Sequence, residues 1–219
     1  MATVMPTSRL EAFSDGVLAV AITLLVLDLH VSDDKASGSL AHQIADQWPK
    51  FIAYLVSFLV IGVIWVNHHR VFALAARIDP VTMFVNLILL MSVSTIPFTT
   101  SAIAEFLRSG GNDSRLAVLL YGASMEGMSL SFSAVFYRLC RQGLLRRPVT
   151  RSQANRAILR FGAGNAIYPV GVLIGLLSPV AMLIIFGLLA AYYALNQTPI
   201  VPDADESGIE PEPDSVEGS

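Results

Sequence analysis

The chain has 219 residues, of which 54 % are hydrophobic and 14 % charged, and its mean hydropathy is +0.61. Soluble domains carry about 25 % charged residues, so this composition predicts a membrane protein and excludes an ordinary soluble domain. The single cysteine, Cys140, excludes a disulfide framework and a thiolate metal cluster. The formal net charge of −3 comes from residues 197–219, which hold seven acidic and no basic residues. No basic face of the kind that binds nucleic acid is present elsewhere.

Six apolar stretches approach the length of about 20 residues that a helix needs to cross about 30 Å of hydrocarbon. They cover residues 13–29, 51–66, 81–103, 116–136, 158–177 and 179–195. We therefore predict an all-α membrane protein with a six-helix transmembrane domain over residues 1–196. Residues 197–219 are predicted to form an acidic, disordered tail, because their composition buries too little apolar area to fold.

The distribution of Arg and Lys predicts the orientation of these spans. Arg70 and Arg77 lie between the second and third spans, and seven arginines lie in or beside the connection between the fourth and fifth. The opposite side has fewer basic residues: Lys35, Lys50, Arg108 and Arg115. Because cytoplasmic loops carry the excess of positive charge, both termini and the acidic tail are predicted to be cytoplasmic.

The sequence contains no motif that would support catalysis. A P-loop and the HExxH and GxSxG motifs are all missing, so no catalytic residue, cofactor or enzyme activity is predicted. His68 and His69 are adjacent, so on a helix they point about 100° apart and cannot chelate one ion from one face. The TVGYG potassium filter is also missing, so any ion selectivity must come from other chemistry.

The first span carries a polarised pattern. At about 100° per residue, six of its residues fall on one stripe about 100° wide. The stripe comprises Phe13, Gly16, Val20, Thr23, Leu24 and Leu27. Val20, Leu24 and Leu27 are spaced i, i+4 and i+7, so four copies of the helix would stack three apolar rings along an axis. The alternative is that these residues form an ordinary helix–helix core.

Ser14 and Asp15 lie off this stripe. An ionisable group near the membrane is unfavourable without partners, so Asp15 is predicted to face the protein interior. The candidate partners are Arg9, Trp65, Asn67, His68, His69 and Asn86. Either these residues form a structural polar lock between helices, or Asp15 contacts a transported ion. Glu126, in the fourth span, and Asn165, in the fifth, are also polar residues within apolar stretches. The alternative function is therefore a proton- or cation-coupled secondary transporter that uses Asp15 and Glu126.

The start of the first span carries a recognisable motif. Arg9, Phe13, Ser14 and Asp15 match the pattern RxxxFSD of the transmembrane protein 175 family of potassium channels, and the following GVLAVAIT resembles its bacterial members. The similarity extends to Trp65 and the His68-His69 pair and to Asn86 and residues 96–98 (IPF) of the third span. It covers the chain to about residue 195 and leaves out the acidic tail.

This resemblance implies a function and an assembly. Bacterial members with one six-span repeat form homotetramers, in which four copies of the first span line a central pore in the cell membrane. The resemblance implies that Val20 forms the tightest hydrophobic ring, where relatives more often have Ile or Leu, and that Leu24 and Leu27 add further rings. Thr23 would supply the hydroxyl layer linked to potassium preference. The implied function is a leak-type potassium-permeable channel in a bacterial plasma membrane, with the bilayer, its own copies and K⁺ as partners.

Overall fold

A computed structural model describes residues 7–30, 39–146 and 151–195. Within these ranges the chain is helical and has no strand, and one isolated bridge pairs Ala75 with Leu145. The α-helices are α1 (Thr7–Leu24), α2 (Leu40–Asp46), α3 (Trp48–Ala73), α4 (Pro80–Phe106), α5 (Gly111–Arg141), α6 (Arg151–Gly175) and α7 (Pro179–Leu195). The tail predicted over residues 197–219 lies outside the described residues.

The chain contains helices that can cross a membrane. Three helical segments are both long and apolar enough to do so, namely Thr7–Asp28, Trp48–Ala73 and Pro80–Phe106. They contain the second and third predicted spans and all but the last residue of the first, 13–29. The longest helix, α5, has 31 residues and contains the predicted span 116–136, but it has charged residues near both ends. Shorter apolar helical stretches follow at Gly164–Gly175 and Pro179–Leu195.

Local sequence signals set the starts of several helices. Pro80 opens α4 where a missing backbone N–H has no consequence, and the Asp79 carboxylate caps the helix by accepting a 2.9 Å bond from the Thr82 N–H. Gly110 precedes α5 with a φ of 65°, a conformation that favours glycine. The short helix α2 was not among the predicted elements, although Ser39 caps it by accepting from the His42 N–H.

The first span ends differently from the prediction. An unbroken helix was predicted through residue 29, but α1 stops at Leu24 and a 3₁₀ turn covers Leu25–Asp28. The Ser101 hydroxyl on α4 donates a 2.9 Å bond to the Asp28 carboxylate, and this bond ties the turn to α4. A 3₁₀ turn advances about 120° per residue, so residues three apart are eclipsed. Leu27 therefore lies directly in line with Leu24.

The two halves of the chain pack by different means. Helix α1 lies against α3 and α4, and α6 lies against α5 and α7. In the second half, glycines bring the helices close together. A Cβ at Gly164 would lie 2.6 Å from the Ser129 hydroxyl of α5, and a Cβ at Gly171 would meet the Phe186 ring of α7. Small residues allow this close approach in membrane helices.

Candidate pore helix and its polar network

One face of α1 is buried in the chain. Leu18 and Ala21 are 1 % exposed, Ser14 is fully buried, and Leu10 and Leu25 lie on the same face. These residues are spaced by three, four or seven positions, so they form one helical face against α3 and α4. The packing of the chain therefore uses only one side of α1.

The predicted stripe lies on the other side of α1 and is exposed. Val20 is 57 % exposed, Leu24 43 % and Leu27 71 %, and Phe13 is 53 % exposed. Gly16 and Thr23 are exposed as well. The stripe is therefore not packed into a helix–helix core within its own chain. All six residues of the stripe are exposed, so they remain available for contacts outside the chain.

Thr23 presents its oxygen on this exposed side. Its hydroxyl donates to carbonyl oxygens of its own helix, at 3.0 Å to Ala19 and 2.9 Å to Val20. A hydroxyl has one hydrogen and two acceptor lone pairs. Because the backbone takes the hydrogen, the lone pairs of the Thr23 oxygen remain available to accept a hydrogen bond or to contact a cation.

A chain of hydrogen bonds joins the buried face of α1 to α4 and α3. The Ser14 hydroxyl donates to the Leu10 carbonyl at 2.9 Å, so its oxygen can accept from the Asn86 amide at 3.0 Å. The Asn86 carbonyl oxygen then accepts from Nε2 of His68 at 2.9 Å. The His68 ring stacks on Phe72 at 4.3 Å between centroids. The donor and the acceptor of each hydrogen bond in this series are therefore defined. Ser14, Asn86 and His68 are all buried.

Asp15 makes a separate contact with α3. The indole N–H of Trp65 donates a 3.0 Å hydrogen bond to Oδ1 of Asp15, although Trp65 is 49 % exposed. Asp15 and Ser14 are neighbours in sequence, so the two contacts attach adjacent residues of α1 to different partners. Together they fix both the position of α1 and its rotation about its own axis.

The structure does not bring all of the candidate partners together. Asn67 lines a cavity of about 40 Å³ between α3, α5, α6 and α7, and Arg9 and His69 are exposed. Glu126 lies on α5 with one buried carboxylate oxygen that has no hydrogen-bond partner among the described residues. Asp15 is bonded to Trp65 of α3.

Asn165 forms a second polar cluster, between α5 and α6. Its carbonyl oxygen accepts hydrogen bonds from the Ser129 hydroxyl at 2.6 Å and the Ser133 hydroxyl at 3.3 Å. In the part of the chain that the structure describes, no three His, Cys, Asp or Glu side chains are placed to share a metal ion.

Two clusters were not predicted from the sequence. Ser57, Thr100 and Tyr121 join α3, α4 and α5 through buried hydroxyl contacts of 2.7 and 2.9 Å. Asp79, at the start of α4, forms an ion pair with Arg138 near the end of α5. The Arg138 guanidinium and the Thr82 donors hold the pKa of the Asp79 carboxyl well below its usual range. The Asp-Pro helix start at residues 79–80 was a signal for Asp79, but nothing in the sequence identified its partner.

The fold and this site define a helical membrane protein whose N-terminal helix is held by directional polar contacts and exposes an apolar stripe. The sequence profile described as "Endosomal/lysosomal potassium channel TMEM175" matches residues 9–97, which contain most of α1, all of α3 and most of α4. A potassium channel of Streptomyces collinus is 45 % identical over 195 residues, covering 89 % of this chain and 94 % of that protein. A potassium channel of Chamaesiphon minutus is 36 % identical over 197 residues, covering 87 % and 94 %.

A solved structure agrees with these sequence matches. The crystal structure of a lysosomal potassium-selective channel TMEM175 homolog from Chamaesiphon minutus superposes with a TM-score of 0.76 at 34 % identity. It covers 86 % of this chain and 96 % of that one. The chain therefore belongs to the TMEM175 family, which is a family of ion channels and not of enzymes.

Proposed function

We propose that this protein is a potassium-permeable channel of the cell membrane, in which α1 from each of four copies lines a central pore. The observation that carries the proposal is the exposed stripe of α1, whose Val20, Leu24 and Leu27 are left unpacked by their own chain. The relatives that match over most of their length are named potassium channels.

The stripe has the chemistry of a hydrophobic constriction. Four copies of Val20 and of Leu24 and Leu27 form apolar rings, and water leaves a narrow apolar ring readily. An ion must lose part of its hydration there, so the rings limit the flow of ions. The 3₁₀ turn aligns Leu27 with Leu24, which places the last two rings on the same side of the helix.

Thr23 supplies the polar layer between these rings. Its hydroxyl hydrogen is bonded to the backbone, so four copies present oxygen lone pairs toward the conducting path. Potassium sheds its water more easily than sodium, and weak oxygen ligands therefore favour potassium modestly. The selectivity is expected to be lower than that of a filter lined by backbone carbonyls.

The polar network has a positioning function in this proposal. Ser14 and Asn86 join α1 to α4, and Asp15 and Trp65 join α1 to α3. A pore residue must point at the axis, and rotation of α1 by one residue would turn the stripe by about 100°. The network holds the helix against such rotation, and Arg9 and Phe13 complete the motif at its start.

The remaining parts of the proposal concern topology. We assign six crossings to α1, α3, α4, α5, α6 and α7, with both termini in the cytoplasm. The support is the excess of arginine at one end of these helices, including Arg77, Arg141, Arg146 and Arg156. The cellular location that fits a single-repeat member is a bacterial plasma membrane, and K⁺ is the permeant ion rather than a bound cofactor.

Potassium flux into liposomes tests the function. Val20→Asn wets the narrowest ring and is expected to raise flux several-fold over the wild type. Val170→Asn is the matched control, because Val170 of α6 is 54 % exposed, close to the 57 % of Val20, but lies outside the stripe. An absence of potassium flux through the wild-type protein would contradict the proposal that it is a channel. Equal flux through Val20→Asn and the wild type would contradict the assignment of Val20 to the constriction.

The selectivity layer has its own experiment. Thr23→Val keeps the shape of the side chain and removes the oxygen, so the potassium-to-sodium permeability ratio is expected to fall toward one. Thr95→Val is the control, because Thr95 of α4 is also exposed but its hydroxyl lies between the Ser92 carbonyl and Ser124. An unchanged ratio in Thr23→Val excludes Thr23 from selectivity.

A further inference from the structure

The turn between α3 and α4 is bonded to the connection that follows α5. The Ala76 N–H donates to the Leu144 carbonyl at 2.7 Å. The Arg146 N–H donates to the Leu74 carbonyl at 2.8 Å, and Nε of Arg146 donates to the Ala75 carbonyl at 3.0 Å. These three bonds hold the two segments together, so the exposed side chains of both belong to one surface of the molecule.

This surface is rich in arginine. Arg77 of the turn, Arg141 in the last turn of α5 and Arg146 beyond it are all exposed. The Arg141 guanidinium donates to the Asn155 side chain of α6 at 3.1 Å. The exposed Arg156 is the next residue of α6, so it lies close to the same place. We call Arg77, Arg141, Arg146 and Arg156 the basic surface.

The positive charge of the basic surface is not neutralised within the part of the chain that the structure describes. None of its four arginines forms an ion pair there. The nearby acid, Asp79, is already paired with Arg138. Arginine donates strong, often bidentate hydrogen bonds to carboxylates. The basic surface is therefore suited to a partner that carries several carboxylates.

The acidic segment over residues 197–219 follows a helix that ends close to the basic surface. A short turn at residues 176–178 joins α6 to α7, and α7 packs back along α6. The 17 residues of α7 extend about 25 Å, so Leu195 lies level with about residue 159, roughly one helical turn from Arg156. A flexible chain of the 24 residues after Leu195 spans about 25–30 Å. That length exceeds the spacing of about 8–10 Å between neighbouring helices.

We propose that the acidic tail, residues 197–219, docks on the basic surface. The tail has seven acidic and no basic residues, so its charge is opposite to that of the four arginines. Its attachment close by keeps it at a high local concentration, which an anionic lipid headgroup or a free anion lacks. The contact is electrostatic, and salt screens such contacts because the Debye length falls from about 10 Å at 0.1 M to about 3 Å at 1 M.

Binding of a tail peptide to the full-length protein tests this docking. The probe is a fluorescein-labelled peptide of residues 197–219, and its host is a full-length variant in which the seven acidic tail residues are changed to Asn or Gln. Fluorescence anisotropy is expected to show saturable binding to this neutral-tail variant at 0.1 M salt and little at 1 M. The wild type is expected to bind the peptide at least about tenfold more weakly, because its own tethered tail occupies the surface at an effective concentration in the millimolar range.

Arginine substitutions in the neutral-tail variant locate the binding surface. Arg77→Gln/Arg156→Gln is expected to weaken peptide binding at least about tenfold. Arg115→Gln is the matched control, because Arg115 is also exposed but lies about 40 Å from Arg141 along α5. Three results would each overturn the docking: no saturable binding to the neutral-tail variant, equal binding to the wild type, or no effect of Arg77→Gln/Arg156→Gln.

Nanodiscs of two lipid compositions separate the tail from anionic lipid as the occupant. Peptide binding to the neutral-tail variant is expected both in phosphatidylcholine alone and with added phosphatidylglycerol. Binding that disappears when phosphatidylglycerol is present would assign the arginines to lipid headgroups and overturn the docking. The assay measures binding within the assembled protein and not ion flow. Absence of potassium flux in the wild type would therefore count against the proposed function and not against this contact.

Discussion

The two halves of this protein differ in their main contacts between helices, although the second half also contains the hydrogen bonds of Asn165 with Ser129 and Ser133. In the first half, Ser14, Asn86 and His68 join α1 to its neighbours through hydrogen bonds of 2.9–3.0 Å with fixed donors. In the second half, Gly164 and Gly171 let α6 approach α5 and α7 closely. Hydrogen bonds are directional and set the rotation of a helix, whereas close packing mainly sets distance. In the proposed pore, rotation of α1 would turn the stripe away from the axis, and α1 is the helix held by these hydrogen bonds.

Substitution of the side-chain amide of Asn86 in the first half or of Asn165 in the second is expected to give the largest difference in stability between the two halves. Asn86→Leu leaves the His68 N–H without its acceptor and the Ser14 oxygen without its donor, at about 1–3 kcal/mol for each unsatisfied buried group. Asn165→Leu leaves two serine hydroxyls, which can rotate to carbonyls of their own helix, so its effect is closer to about 0.6 kcal/mol. Thermal unfolding and potassium flux of both variants measure the difference. Equal losses of stability and flux in the two variants would show that the first half does not depend more strongly on its hydrogen bonds than the second.

Two glycines of α6 test the contribution of close helix packing to the stability of the second half. Gly171→Ala brings a methyl group against the Phe186 ring and is expected to destabilise the protein by about 1–3 kcal/mol. Gly162→Ala meets nothing within 4 Å, so it is expected to be neutral or to stabilise the helix by up to about 1 kcal/mol. Unfolding in detergent by denaturant titration compares the two. Equal stability of both variants would show that close helix packing at Gly171 does not stabilise the second half.

The ion pair between Asp79 of α4 and Arg138 of α5 is expected to have a smaller effect than the buried amide of Asn86. Asp79→Asn keeps a good helix cap and removes only the charge that pairs with Arg138. The folded protein lowers the pKa of Asp79, so its stabilisation is complete above the ordinary value of 3.8 and decreases as the pH falls below it. The variant is expected to melt about 2–4 °C lower at neutral pH, with a smaller difference in acid.

The exposed pair of His42 and Asp46 provides the control for this pH effect. Asp46→Asn is expected to leave the melting temperature nearly unchanged, because exposed ion pairs contribute little. A difference between wild type and Asp79→Asn that grows as the pH falls would contradict the role given to the Asp79–Arg138 pair.

The sequence predicted the parts of this site that depend on local periodicity. The positions of Phe13, Val20 and Leu24 on one side of α1 follow from 3.6 residues per turn, and all three are exposed. The motif also led directly to the TMEM175 family. The 3₁₀ turn at Leu25–Asp28 was missed, because it depends on a bond from Ser101, which is 73 residues away in sequence.

The pairing of the polar residues was less accessible to sequence reasoning. Six candidates were available for Asp15, and the structure pairs it with Trp65, 50 residues away. Asn86 bonds to Ser14 and not to Asp15, across 72 residues. Helix periodicity gives the direction of each side chain but not the height and tilt of neighbouring helices. These quantities come from the packing of the whole chain, so composition and spacing alone could not select the partners.

Chemical modification of the stripe tests the central claim most directly. In a Cys140→Ser background, Leu27→Cys places a thiol in the last ring, and Leu188→Cys places one on α7 at similar exposure, 66 % against 71 %. If α1 lines the pore, a charged, water-soluble thiol reagent abolishes or sharply reduces potassium flux through Leu27→Cys and leaves Leu188→Cys unchanged. Flux through Leu27→Cys that is unaffected by the reagent, with Leu188→Cys equally unaffected, would contradict the account.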